Sequence, residues 1–227
     1  YMMCPSDGNS NKPARVSNGA RKNYMTCRGD RTWDTNNAGH EGRGLFWKNR
    51  LMGFNDCTDG TSNTVAVSES VSSLIGGHDG GDRSVKSGVV NANTQHLDWE
   101  PGLCIDQIDP NNRKMMTGSI HWAFRGNWFD DGRAANGGFH CVLPPNSPNC
   151  AGKTGGNETA WGVYSATSQH PGGVNVGMTD GSTHFISDTI NCGNIRAKMP
   201  SNSAAKSPYG VWGALGTPKS GETAQIP

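Results

Sequence analysis

The sequence predicts an α+β protein, predominantly antiparallel β, with long Gly/Asn-rich loops. Three observations point there: short runs of period-two hydrophobicity recur along the chain, helical periodicity is scarce, and turn formers are abundant, with 32 Gly and 12 Pro in 227 residues. Hydrophobic residues make up only 33%, against the roughly 45–50% usual for globular domains on a count that includes Gly. A disordered chain this poor in apolar residues would also carry a high net charge. Here 20 basic residues balance 19 acidic ones, so the chain reads as folded around a thin core. No internal repeat or Pro-rich linker divides it, and residues 1–227 read as one domain.

Taken in order, residues 1–44 are dominated by turn formers such as Asp7-Gly8-Asn9, Asn18-Gly19 and Arg28-Gly29-Asp30. Strands are expected where apolar residues alternate: Val65, Val67 and Glu69; Ile120, Trp122 and Phe124; Trp161 and Val163; Val174, Val176 and Met178. Thr179-Asp180-Gly181-Ser182 then reads as a hairpin turn, with a primed geometry and positive φ at Gly181, leading into Phe185-Ile186. Ser68–Ile75 and Thr189–Met199 are the helix candidates, the second weakened by Gly193. Gly76–Asp82 reads as a mobile insert.

A net charge of +1 offers no basic stripe for nucleic acid. No stretch approaches the ~18 consecutive apolar residues of a membrane span. The abrupt start at Tyr1-Met2-Met3-Cys4-Pro5 reads as the remainder of a longer chain. The seven cysteines (Cys4, Cys27, Cys57, Cys104, Cys141, Cys150, Cys192) include no C-x2-C pair, so a zinc framework is not indicated. Disulfides would staple so thin a core and imply an oxidising compartment; the odd count leaves at least one thiol free or paired between chains. Buried free thiols in a cytosolic protein are the alternative.

The densest polar cluster is Asp56-Cys57-Thr58-Asp59-Gly60-Thr61-Ser62-Asn63-Thr64. Asp56, Asp59 and Asn63 offer oxygen ligands to Ca2+; otherwise Asp59 and Asn63 order a tight turn by bonding backbone amides. His170 and His184 flank Asp180, and the hairpin would bring them near each other. The other histidines, among them His40, His96, His121 and His140, have no partner at diagnostic spacing. No nucleophile elbow or phosphate loop occurs. Asp98 with Glu100, or Asp130 with Asp131, are the carboxylate pairs open to glycoside chemistry. Of the seven tryptophans, Trp99 and Trp128 sit among polar neighbours and are candidates for a sugar platform. Asn157-Glu158-Thr159 fits the N-glycosylation pattern.

Five motifs together resemble a large bacterial family of mostly unknown function, found mainly in planctomycetes. They are Cys4-Pro5-Ser6-Asp7; Thr58-Asp59-Gly60-Thr61-Ser62-Asn63-Thr64 followed by Glu69; and Pro144-Pro145-Asn146-Ser147-Pro148 with Cys150 beyond. The fourth is His170-Pro171-Gly172-Gly173-Val174-Asn175 with Asp180-Gly181-Ser182, similar to a His-x9-Asp-Gly signature, and the fifth is Tyr209–Thr217 with Gly221-Glu222. The resemblance implies a pilin- or pseudopilin-like head, akin to type II secretion pseudopilins, placed outside the cytoplasm or on the cell surface. It implies a homo-oligomer or filament and a membrane link only through an N-terminal helical spine that this chain lacks. Ca2+ is the one cofactor it suggests. Cys4, Asp59, Gly60, Asn63, Glu69, His170, Gly172, Gly173, Asp180 and Gly181 are then structural residues, with His170 bracing the hairpin. The expected function is non-catalytic and structural; the alternative is a secreted glycan- or solute-binding module.

Overall fold

The computed structural model describes residues 2–12, 19–32, 42–47, 50–73, 82–92, 97, 100–121, 125–152, 161–224 and 226. Its strands are β1 (Tyr24–Cys27), β2 (Val65–Glu69), β3 (Val90–Asn91), β4 (Ser119–Ile120), β5 (Gly138–Phe139), β6 (Cys150–Ala151), β7 (Gly162–Val163), β8 (Gly173–Met178) and β9 (Thr183–Ser187). They form a five-stranded sheet, β5-β1-β2-β8-β9, and a four-stranded sheet, β4-β3-β6-β7. Pairing is antiparallel except for β1 with β5 and β3 with β6. Two short helices, α1 (Ala134–Gly137) and α2 (Gly210–Leu215), complete the α+β fold with a 3-10 segment at Pro101–Gln107.

Alternation along β2, β8 and β9 divides the large sheet into two faces. Met25, Cys27, Val65, Val174, Val176, Met178 and Ile186 point inward, and Phe139, Trp212 and Leu215 cover them. The α2 indole of Trp212 stacks on Phe139 with centroids 6.3 Å apart. The register, Tyr24↔Glu69, Thr26↔Val67, Val67↔Gly177 and Asn175↔Phe185, puts these residues together on the opposite face. A register shift between Val65 and Val67 turns Val67 to that side while Val65 stays in the core. A second core cluster joins Val90, Leu97, Cys104, Val142, Leu143, Cys150 and Val163 beneath the small sheet.

The β8–β9 hairpin forms where the alternation placed it, but its turn is not primed. Gly181 N donates to Met178 O (3.1 Å) and Met178 N to Ser182 O (2.8 Å), closing a three-residue loop. Asp180 has no positive φ, whereas Gly181 has φ 89°. A turn followed by a left-handed glycine matches the hairpin twist equally well. A Cβ on Gly181 would meet nothing within 4 Å, so Gly181→Val is expected to cost only the backbone strain, about 1–2 kcal/mol, as a lowered urea midpoint. An unchanged midpoint would remove the glycine's role.

Neither expected helix forms. In the first, Ser68 and Glu69 lie in β2. The amides that follow reach distant acceptors: Ser70 N to Asn23 O, Val71 N to Thr167 Oγ1, Ser72 N to Asp7 Oδ2 and Ser73 N to Arg125 O. In the second, Asn191 Oδ1 accepts from Gly193 N and Asn194 Oδ1 from Arg196 N. Such local side-chain bonds replace a helical ladder. Trp122 and Phe124, the insert at 76–81 and Asn157-Glu158-Thr159 lie outside the described residues. Among the described residues, no helix is long and apolar enough to cross a membrane.

Candidate functional site

Three of the motif residues converge at the end of β2. The turn Cys4–Asp7 folds over Glu69, pinned by Cys4 N donating to Asn23 Oδ1 (2.9 Å). Asn23 in turn donates from Nδ2 to the buried Asp7 carboxylate, which also accepts from Ser72 N. Glu69 is held from the neighbouring strand: Asn175 N donates to its Oε2 (2.9 Å) and Asn175 Nδ2 to its Oε1 (3.1 Å). His170, at the entry to β8, brings Nε2 to 3.2 Å from Glu69 Oε1. Cys4 Sγ lies 3.9 Å from Glu69 Oε1 and 4.0 Å from His170 Nε2. Ser6 Oγ completes the group, 2.9 Å from Cys4 Sγ and 3.3 Å from His170 Nε2.

Cys4 and Glu69 are buried, and the His170 side chain is 37% exposed. The thiol, carboxylate and imidazole atoms all lie within 4.8 Å of one another. The arrangement is not a nucleophile relay. In a thiol–imidazole–carboxylate triad the acid contacts the ring nitrogen facing away from the nucleophile, whereas here Glu69 and Cys4 approach the same Nε2. Beside the cluster, desolvation is the first cause raising the Tyr24 phenol, with the Cys4 and Glu69 charges adding to it. His170 thus braces the N-terminal turn against β2, and His184 instead contacts Ser182 Oγ (3.2 Å).

The other expected site residues lie apart. Asp56 pairs with Lys219 (2.6 Å) and accepts from Gly53 N. The Asp59 carboxylate accepts from Ser220 N (2.8 Å), Ser220 Oγ (3.0 Å) and Gly221 N (3.0 Å), tying the central motif to the C-terminal segment. Asn63 Nδ2 donates to Asp59 O, and Gly60 O accepts from Thr64 Oγ1. Both carboxylates are therefore engaged by protein partners, Asp56 by Lys219 and Asp59 by Ser220 and Gly221, while the Asn63 amide bonds through its nitrogen. The amides that Asp59 bonds belong to a segment far along the chain, not to its own turn. Asp59→Ala strips two amides and a hydroxyl of a charged acceptor and is expected to cost about 2–3 kcal/mol, read as the shift in urea midpoint. Loss below 0.5 kcal/mol, on the order of a surface substitution, would contradict the tie.

Gly172 O accepts from Asp188 N, Gly173 opens β8 opposite Ser187, and Asp180 caps the hairpin loop by accepting from Ser182 N and Oγ. Trp128 carries the Arg133 guanidinium 5.4 Å over its ring. Trp99 and Asp98 lie outside the described residues. Glu100 is paired to Arg196, and Asp131 to Arg133 and Asn136, whereas Asp130 lies exposed beside Asp131.

Sequence reasoning missed a second feature, on the open face of the large sheet. Tyr24 and Phe185 are exposed there, Val67 is half-buried, and beyond Thr26 and Thr179 the face runs into an apolar groove of about 860 Å3 lined by Phe46, Trp47, Leu51 and Phe54. Leu51 is fully exposed and Phe54 is 71% exposed. The residues 45–54 carry no alternation, so only their apolar content hinted at it.

The family described as Protein of unknown function (DUF1559), SBP_bac_10, matches residues 1–193. The chain belongs to that family. Neither curated proteins nor solved structures yield a match. The matched residues hold Cys4, Glu69 and His170 together with the hairpin, so the whole convergent cluster lies within the family's span. The Tyr209–Glu222 motif lies beyond it, yet packs closely: Ser207 N donates to Glu222 Oε2 (2.7 Å) and Tyr209 Oη to Ala197 O (3.0 Å).

Proposed function

We propose that this DUF1559 domain is a non-catalytic structural head, pilin- or pseudopilin-like, that associates with copies of itself outside the cytoplasm through the open face of its large sheet. The observation that carries the reading is the apolar Phe46–Phe54 groove, which meets the open face of the large sheet at Thr26 and Thr179, with Phe185, 49% exposed, elsewhere on that face. An exposed apolar groove of this kind marks an interaction site. A second copy is the occupant argued for, because a net charge of +1 sets up no long-range repulsion between copies. The Cys104–Cys150 disulfide supports an oxidising location, and the order of the five motifs, with His170 and Asp180-Gly181 as the signature, supports the pilin-like kinship.

Phe185→Lys and Leu51→Lys change exposed side chains, leaving the fold intact. Each is expected to shift the oligomer toward monomer in size-exclusion chromatography with light scattering. An oligomer unaffected by both would overturn the assignment of this face. The groove also gives the solute-binding alternative a specific observation, because Arg28, Arg50, Asp131 and Arg133 line its apolar floor with polar groups. A saccharide-dependent rise in melting temperature, with no self-association, would favour that alternative.

A further inference from the structure

The Cys4–Glu69–His170 cluster meets the requirements of a metal centre on grounds independent of the assembly proposed above. We propose that Cys4 Sγ, Glu69 Oε1 and His170 Nε2 bind one divalent zinc-type transition metal ion, with Ser6 Oγ or a water it holds in the fourth position.

The first ground is geometry. Around a tetrahedral zinc with Zn–S of about 2.3 Å and Zn–N or Zn–O of about 2.0–2.1 Å, ligand atoms stand about 3.3–3.6 Å apart. The observed separations are 3.2 Å between Glu69 and His170, 3.9 and 4.0 Å from Cys4 to those two, and 3.3 Å from Ser6 to His170. A few tenths of an ångström of contraction about a common centre closes the shell. A cavity of about 10 Å3 lined by Cys4, Ser6 and Glu69 opens beside them, room for about one water-sized particle.

The second ground is the donor set and its charge. A thiolate with an imidazole selects zinc and its neighbours over Ca2+ or Mg2+, which take oxygen ligands. A thiolate and a carboxylate together neutralise a divalent cation. Glu69 is buried and its ion-pair partner among the described residues is His170, which is charged only when protonated, so a bound ion would supply the charge that burial of this carboxylate calls for.

The third ground is support and access. The outer partners that metal sites require are in place: Asn175 holds both oxygens of Glu69, and Asn23, itself fixed by Asp7, holds the Cys4 backbone. The part-exposed His170 ring is the way in. The ligands come from three segments, Cys4 being 65 residues from Glu69 and 166 from His170. The ion would thus fasten the N-terminal turn to the central sheet.

The test is titration of the chelator-treated full chain, its Cys104–Cys150 disulfide intact, with Co2+ and then Zn2+. The expected result is one Co2+ per chain, with tetrahedral visible absorption and a thiolate-to-cobalt charge-transfer band that Zn2+ abolishes, and a melting temperature raised by Zn2+. His170→Ala, at a part-exposed position, and Cys4→Ser are expected to lose the thiolate band, and Asn175→Ala to weaken binding about 10–100-fold. Cys192→Ser, at a thiol outside the cluster, should leave it unchanged. Circular dichroism checks that each variant is folded. If Cys4→Ser does not fold, His170→Ala decides. Absence of a thiolate–cobalt band in the wild type, or its persistence in folded His170→Ala, would overturn the site.

Discussion

Acidification from pH 7 to pH 4 is expected to unfold the domain well before its carboxylates titrate, driven by two buried histidines. Burial holds the His121 imidazole down at about 4 and the His140 imidazole at about 3, the latter also depressed by the Arg28 and Arg125 charges. Among the described residues, neither ring is paired with a carboxylate. His121 finds no hydrogen-bond partner for either nitrogen, and His140 Nδ1 accepts from Tyr164 N (3.2 Å) while Nε2 has none. The unfolded chain takes up both protons near pH 6.5, and the folded chain resists them to about pH 4 and 3. A depressed folded-state pKa gives stability that is present above the unfolded value and lost as pH falls toward the folded one. Two such groups give a slope of about 2.7 kcal/mol per pH unit below pH 6. Asp30, whose carboxyl is raised by burial although Arg43 pairs with it at 2.6 Å, works in the opposite sense, one group against two. Urea unfolding at pH 7, 6 and 5 measures the slope. A flat profile would mean that the two rings are not held neutral in the fold.

Removing the Cys104–Cys150 disulfide is expected to cost about 4 kcal/mol, from the entropy of the loop it closes across a sequence separation of 46. Both cysteines are fully buried in the cluster beneath the small sheet, where β3 and β6 pair over only two residues each. So short a ladder needs the covalent tie more than a long one does. The paired Cys104→Ala/Cys150→Ala variant should lower the urea midpoint by this amount, and reduction of the wild type should lower it similarly. A loss below 1 kcal/mol would show that the small sheet holds without the staple. The other five cysteines are buried free thiols, so the expectation of a generally stapled core is met at one place. Burial raises the Cys192 thiol to about 12, which disfavours the reactive thiolate at neutral pH.

Part of the large sheet was legible because β2, β8 and β9 are five or six residues long, although the bulge in β2 breaks its alternation; β1, in a stretch read as turns, and the two-residue β5 were not. The small sheet was legible in part: β4 falls where Ile120, and β7 where Trp161 and Val163, were expected in strands, whereas β3 and β6, two residues each, carry no period. Helix α2 begins at Gly210 without a side-chain cap and spans six residues, too short for periodicity to show; it forms because Trp212 and Leu215 find the core. In the site, Cys4, Glu69 and His170 were each legible as motif members. Their meeting was not, because separations of 65 and 166 residues are closed by the β1–β2–β8 register and by the turn over Glu69. Asn175 and Ser6 stood inside quoted motifs, but nothing local says that an Asn will hold a carboxylate on the next strand.

The measurement that bears most directly on the assembly account is sedimentation velocity of the wild type and Phe185→Lys over a hundredfold concentration range. The account predicts that the wild type grows beyond its 24.1 kDa monomer as concentration rises, while Phe185→Lys stays monomeric with an unchanged circular dichroism spectrum. A wild type that sediments as a single 24.1 kDa species at every concentration would contradict it.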